Sequence, residues 1–142
     1  GLGTVTLDGW NLMEPYRTDF PVLIVKGRLV SGPDTGSLQE AACVHNYNPP
    51  GAPYGGQTDA DMTDTLPNEI RGLVHVIGSA SLLDQGLYRG VILVDGGTDV
   101  AGTQTVTLDP NLMDDPPLGY TGDPNSTQMI VKKGTWTRRP AP

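Results

Sequence analysis

Three stretches of this chain follow one pattern. Residues 20–27 read FPVLIVKG, residues 72–78 read GLVHVIG and residues 90–96 read GVILVDG. Aligned without gaps from Pro21, Gly72 and Gly90, each has a small or imino residue, four or five mostly apolar residues and a closing glycine. The second and third start 18 residues apart, and each follows an arginine, Arg71 and Arg89. Nearly continuous apolar runs of this length are strands buried on both faces, or with one face inside and one covered. Two such strands at this interval suit neighbouring turns of a coil, in which like residues stack at about 4.8 Å. The interval from Gly90 to Val106 is 16, again close to one turn, and TQTVTL at 103–108 alternates and continues the stack.

The expected fold class is therefore all-β, a short parallel β-solenoid. The alternative is a β-sandwich whose core strands are joined by hairpins and arches. Its best hairpin signal is Asp95-Gly96-Gly97, which would fold the following segment onto Val91–Val94. Composition agrees with an all-β chain. Gly 19 and Pro 13 together supply 32 of 142 residues, about twice the usual share of roughly 12 per cent. Yet 37% of residues are hydrophobic, so the chain is not composed like a disordered one. Its length suits a single domain, 1–142, large enough for a real core. Helical periodicity is confined to SLQEAACV, residues 37–44.

Within this frame, residues 46–68 form an irregular Pro/Gly/Asp-rich segment, NYNPPGAPYGGQTDADMTDTLPN, with no strand pattern. Loops this long in a compact domain are functional or packed as covers. A second feature is a repeated phrase. TVTLDGWNLMEP at 4–15 returns as TVTLDPNLMDDPP at 105–117. Its first half reads as a strand and its Asp-Gly or Asp-Pro step as a turn. In a coil the Asn-Leu-Met part would then plug an open end, which predicts burial of Leu12, Met13, Leu112 and Met113.

The net charge of −7 and pI near 4.5 oppose an electrostatic hold on nucleic acid or on anionic lipid. Lys132, Lys133, Arg138 and Arg139 make a basic tail, 132–142, able to dock on an acidic neighbour such as a second copy. One cysteine, Cys43, forms no internal disulfide. No run approaches transmembrane length, so this stretch predicts no membrane contact of its own. The chain opens Gly-Leu-Gly rather than with Met and is read as a processed chain or a fragment, its leader or anchor removed.

Candidate chemistry is sparse. The only histidines are His45 and His75. Cys43-Val44-His45 lacks an orienting third group for a nucleophile pair, and His75 sits mid-strand among valines and isoleucine. One thiol and two imidazoles do not make a zinc site. The acids are more informative. Asp59, Asp61 and Asp64 cluster on the irregular segment, at a spacing that can supply calcium with oxygens. It is not an EF-hand, because the central Gly and distant Glu are missing. Asp114-Asp115 before two prolines reads as a turn. Asn125-Ser126-Thr127 matches a glycosylation acceptor. With 6% aromatic residues the chain has little to grip a sugar, so a polysaccharide-active enzyme ranks below two non-catalytic readings, with no cofactor other than calcium.

The pieces RGLVHVIG, YRGVILVDGG, LDPNLMDDPPLGY and GTWTRRP, in that order, resemble the C-terminal exterior regions of secreted, pilin-like or pilus-assembly-associated bacterial proteins. NYNPPGAPYGG followed by acids and RGLVHV fits the same pattern, so the resemblance covers about residues 46–140. It implies a glycine-punctuated β-coil carried behind a hydrophobic N-terminal anchor, which this stretch lacks. The strand-plus-glycine rhythm is also similar, more weakly, to bactofilin-like polymer-forming solenoids, which lack so long a proline-rich insertion. The first reading is thus a non-catalytic structural or assembly domain of an exported cell-surface or pilus-like protein, extracellular, that self-associates or contacts neighbouring surface proteins. The alternative is a small glycan- or calcium-binding β module.

Overall fold

The computed structural model describes residues 3–33 and 36–120. The basic tail 132–142, the GTWTRRP stretch and the acceptor sequence at 125–127 lie outside them. The strands are β1 (Gly3–Gly9), β2 (Leu12–Met13), β3 (Leu23–Pro33), β4 (Ser37–Gln39), β5 (Thr65–Pro67), β6 (Glu69–Leu82), β7 (Gly86–Val94), β8 (Thr98–Val100) and β9 (Gln104–Thr107). Two single-turn helices are α1 (Glu40–Cys43) and α2 (Asn111–Asp114). Among the described residues no helix is long and apolar enough to cross a membrane.

Seven strands form one open sheet in the order β1-β3-β6-β7-β9, and every pair in it is parallel. β6 is the centre. Along one edge it pairs with β2 and then β3, and along the other with β7 and then β8. The offset on the second edge is constant: Ile70 faces Tyr88, Ala80 faces Thr98, and Gly86 in turn faces Gln104. Each step equals the interval from Gly72 to Gly90, so Val106 aligns with Tyr88 rather than one short turn beyond Gly90. The three apolar runs take the expected alignment, with Gly72 opposite Gly90 and Gly27 opposite Gly78.

This pairing bends β6. A straight strand from Ile70 to Leu82 would span about 40 Å. The chain from Leu82 to Tyr88 reaches at most about 21 Å, and Tyr88 lies about 5 Å from Ile70 across the ladder. Parallel neighbours usually need a crossover of about a dozen residues. Here residues 83–85 suffice, because the strand itself turns back. Asp95-Gly96-Gly97 is not a hairpin either. Asp95 N donates to Val76 O, Gly96 N to Gly78 O, and Ala80 N to Gly97 O, so the chain bends while staying in register on β6. β8 pairs with β6, not with β7.

Glycines sit where the backbones come closest. Gly78 has φ +147 and Gly27 φ +137, and a Cβ on Gly78 would fall on the carbonyl oxygen of Gly27. Gly27 stands in the same relation to Gly3, Gly96 to Gly78, and Gly90 (φ +146) to Gly72. The closing glycine of each apolar run is therefore a backbone-on-backbone contact repeated down the sheet.

The core cluster is Val25, Leu29, Ile70, Val74, Val76, Ala80, Leu82 and Tyr88. Ser31 and Tyr88 share a buried hydroxyl pair at 2.8 Å. The apolar runs are not buried on both faces: β3 alternates, leaving Ile24 55% exposed, and Ile77 of β6 is 40% exposed. At these positions one face carries the core and the other meets solvent, whereas β6 is covered on both faces at Glu69–Ile70 and at Leu73–Val74.

The repeated phrase folds in two ways. Its strand halves become β1 and β9, the outermost strands of the sheet. The Asn-Leu-Met half becomes β2 in the first copy and α2 in the second: Pro110 opens a helical turn, whereas Gly9, with φ +67, ends β1 and turns the chain toward β2. Leu12, Met13 and Leu112 are half-buried, but Met113 is 65% exposed, so the phrase is not a matched pair of hydrophobic plugs. The helical stretch expected at 37–44 is split between β4 and α1, and the irregular segment ends in β5, paired antiparallel with β4.

The glycine column generates a direct test. Gly78→Ala combines a strained φ with a collision against fixed backbone and should lower stability by roughly 3 kcal/mol. Gly97→Ala, whose Cβ would meet nothing within 4 Å, should stay within about 0.5 kcal/mol of the native protein. Urea unfolding of the two variants checks the contrast.

Candidate functional site

The β4–β5 pairing brings two distant acidic stretches together. Ser37 faces Pro67 and Gln39 faces Thr65, so Glu40, the next residue, meets Asp64, and Glu40 N donates to Asp64 O at 3.0 Å. Asp59 closes the group: one carboxylate oxygen from each of Glu40, Asp59 and Asp64 lies within 4.8 Å of the others. Glu40 is fully buried, and its oxygens accept from Tyr47 N (2.6 Å) and Asp64 N (3.2 Å). Asn48, 1% exposed, donates through Nδ2 to Asp64 Oδ2 (2.9 Å) and Asp59 Oδ2 (3.4 Å). Asn46 Nδ2 donates to Asp59 Oδ1 at 3.1 Å. The Asn48 hydrogen bond acts to lower the Asp64 pKa, but burial and the neighbouring Asp59 and Glu40 outweigh it, and the carboxyl sits above its ordinary range.

Of the three acids singled out in the sequence, the structure joins Asp59 and Asp64 and leaves Asp61 outside. Asp61 is exposed and accepts from Thr63 N and Thr63 Oγ1, a local turn. Glu40 takes its place. Sequence reading missed it because it sits in a helix-like stretch far along the chain from Asp64, and only the antiparallel β4–β5 pair makes them neighbours. The donors are all oxygen, the choice of hard cations rather than of zinc.

A second charged cluster surrounds Glu69, 1% exposed at the start of β6. Arg71 Nε bonds to Glu69 Oε1, and Arg89 Nε lies 3.6 Å from Oε2. The two arginines that precede the apolar runs face each other across the β6–β7 ladder, so like charges stack and the buried carboxylate holds both. Tyr54 of the irregular segment adds its hydroxyl to Glu69 at 3.3 Å, and its ring lies under the Arg71 guanidinium at 4.9 Å. Burial first and Glu69 second push the Tyr54 hydroxyl far up, so it stays a donor. This cluster pins the middle of the irregular segment to the sheet. An open cleft of about 610 Å³ borders it, its lining including Arg71, Arg89, Asp109, Asp114 and Asp115.

The remaining candidates separate. His75 lies on the half-exposed face of β6, with Nδ1 2.7 Å from Tyr120 Oη and Nε2 3.1 Å from Asp95 Oδ1. Burial and then Asp95 raise the Tyr120 pKa, which opposes a phenolate nucleophile; the histidine ties residue 120 to the sheet. His45 packs edge-on against Tyr47 at 4.7 Å, and Cys43 is free and half-buried.

No family model, curated protein or solved structure matches the chain.

Removing the Glu69 carboxylate leaves two facing guanidiniums without their shared partner. Glu69→Ala should cost roughly 2–3 kcal/mol and Tyr54→Phe about 1 kcal/mol, read from thermal unfolding of each variant.

Proposed function

We propose that this chain is a structural, non-catalytic domain of an exported cell-surface or pilus-like protein, built as a short parallel β-solenoid. The observation that carries this reading is the constant step of β6, β7, β8 and β9 across the short connection at 83–85, always the interval from Gly72 to Gly90. A coil whose circuit has that length produces such a step, with Gly78 and Gly90 at its corners. The Greek-key sandwich draws on antiparallel strands, and the main sheet has only parallel pairs. The exported, pilus-like setting rests on the likeness of RGLVHVIG and YRGVILVDGG to exterior regions of pilus-associated proteins. A hydrophobic helix with a processing site encoded upstream of Gly1 supports that setting, and an unbroken cytoplasmic start removes it.

The function follows from what a stack of parallel strands leaves at its ends. β1 pairs only with β3, and β9 only with β7, among the described residues. Their outer backbone groups are templates for another strand. The two ends differ, so a contact between copies joins the β1 end of one to the β9 end of the next, an arrangement that repeats without closing. Val5 and Val106 are exposed on these strands, at 38% and 52%.

Sedimentation velocity from micromolar to millimolar concentration should show growing linear oligomers of the native chain. Val5→Lys and Val106→Lys should each stay monomeric, and an equal mixture of the two should stop at dimers, since one intact end remains on each. A native chain that stays monomeric throughout, or variants that assemble like it, overturns the assembly reading.

A further inference from the structure

We propose that Glu40, Asp59, Asp64 and the side-chain oxygen of Asn48 form a binding site for a divalent cation, with calcium the ion that fits. The size is right. Calcium holds oxygens at about 2.3–2.6 Å, so ligands on opposite sides of one ion lie about 4.6–5.2 Å apart. The three carboxylates present oxygens within 4.8 Å of one another. Among the described residues, no Lys or Arg makes an ion pair with any of the three. Glu40 is wholly buried, so its charge is not relieved by solvent.

The second observation is Asn48. Its side chain is buried with its carboxamide against the two aspartates, yet Oδ1 has no hydrogen-bond partner among the described residues. A buried amide oxygen left alone is costly. A half-turn of the carboxamide exchanges its two ends and brings Oδ1 to face the gap between Asp59 and Asp64. With only negative charge in the gap, that turn is opposed. With a cation there, the oxygen becomes a ligand, and the ion takes over from Nδ2 the task of holding the two aspartates while Nδ2 turns to the side that Oδ1 leaves. Three of the four donors, Asn48, Asp59 and Asp64, lie on the irregular segment, and such a loop suits the adaptable shell of calcium better than the strict octahedron of magnesium. Asp61 plays no part, being engaged with Thr63.

The site takes no residue from the outer strands β1 and β9, so it is tested independently of assembly. Chelator-treated full chain is titrated with CaCl2 and, separately, MgCl2 by calorimetry, and melted with and without each. One calcium-binding event is expected, with a raised Tm and magnesium binding weaker by about tenfold or more. Asp59→Asn and Asp64→Asn should each weaken calcium by about tenfold or more, while Asp61→Asn binds as the native chain does. In chelator both ligand variants should melt at or above the native Tm, because each removes a like charge; this separates lost coordination from failed folding. Absence of calcium heat and of any Tm shift at millimolar calcium overturns the proposal. So does a loss of affinity in Asp61→Asn equal to that in Asp64→Asn. Equal affinity for magnesium overturns the assignment of calcium.

Discussion

The structure depends on one close contact: a glycine carbonyl placed where the Cβ of the glycine on the next strand would be. It recurs from Gly3 to Gly27, Gly78 and Gly96, and again from Gly72 to Gly90. Because the contact is between backbones, no neighbouring side chain can move aside to admit a larger residue. It fixes which residue of one strand lies over which residue of the next, and register then decides everything else. Valines and leucines of β3 and β6 meet in one core because the glycines hold them in phase, and Arg71 lands opposite Arg89 for the same reason. The stacked arginines follow from alignment, and the burial of Glu69 beneath them is what makes the alignment tolerable.

Much of this was legible in the chain. The closing glycines and the interval from Gly72 to Gly90 gave the register directly, because parallel stacking repeats the same local sequence. The hairpin signal at Asp95-Gly96-Gly97, which favoured the alternative sandwich, has another outcome: two glycines permit a reversal, but here they permit a bend, and the partner of residues 98–100 is β6. Burial of the apolar runs on both faces failed for Ile24 and Ile77, since hydrophobicity says that a strand has somewhere to pack, not how many faces are covered.

The candidate site was half legible. Asp59 and Asp64 were visible as a local acidic run. Glu40 and Asn48 were not, because their roles come from the β4–β5 pair and from the folding of an irregular segment with little periodicity to read. Glu69 and Tyr54 were hidden likewise. An acid next to a strand and a tyrosine among prolines carry no local signal that they will meet. The repeated phrase shows the limit of local reading most plainly, since one Asn-Leu-Met forms a strand beside β6 and the other a helical turn.

The offsets between aligned strands have an evolutionary consequence. From β6 onward the step stays that of Gly72 to Gly90. It is longer from β1 to β3, where Gly3 meets Gly27, and longest from β3 to β6, where Gly27 meets Gly78. The surplus leaves the sheet at 14–22 and 36–68 and rejoins it with the glycines back in line. Lengthening such an excursion costs only the slow logarithmic growth of loop entropy. Inserting one residue within β6 would instead displace Gly78 from its column and turn the core side chains beyond it to the opposite face. Change in length is therefore confined to the excursions, and that is where the clustered acids and the Tyr54 anchor are found: the sheet keeps time, and new binding chemistry can accumulate between its beats.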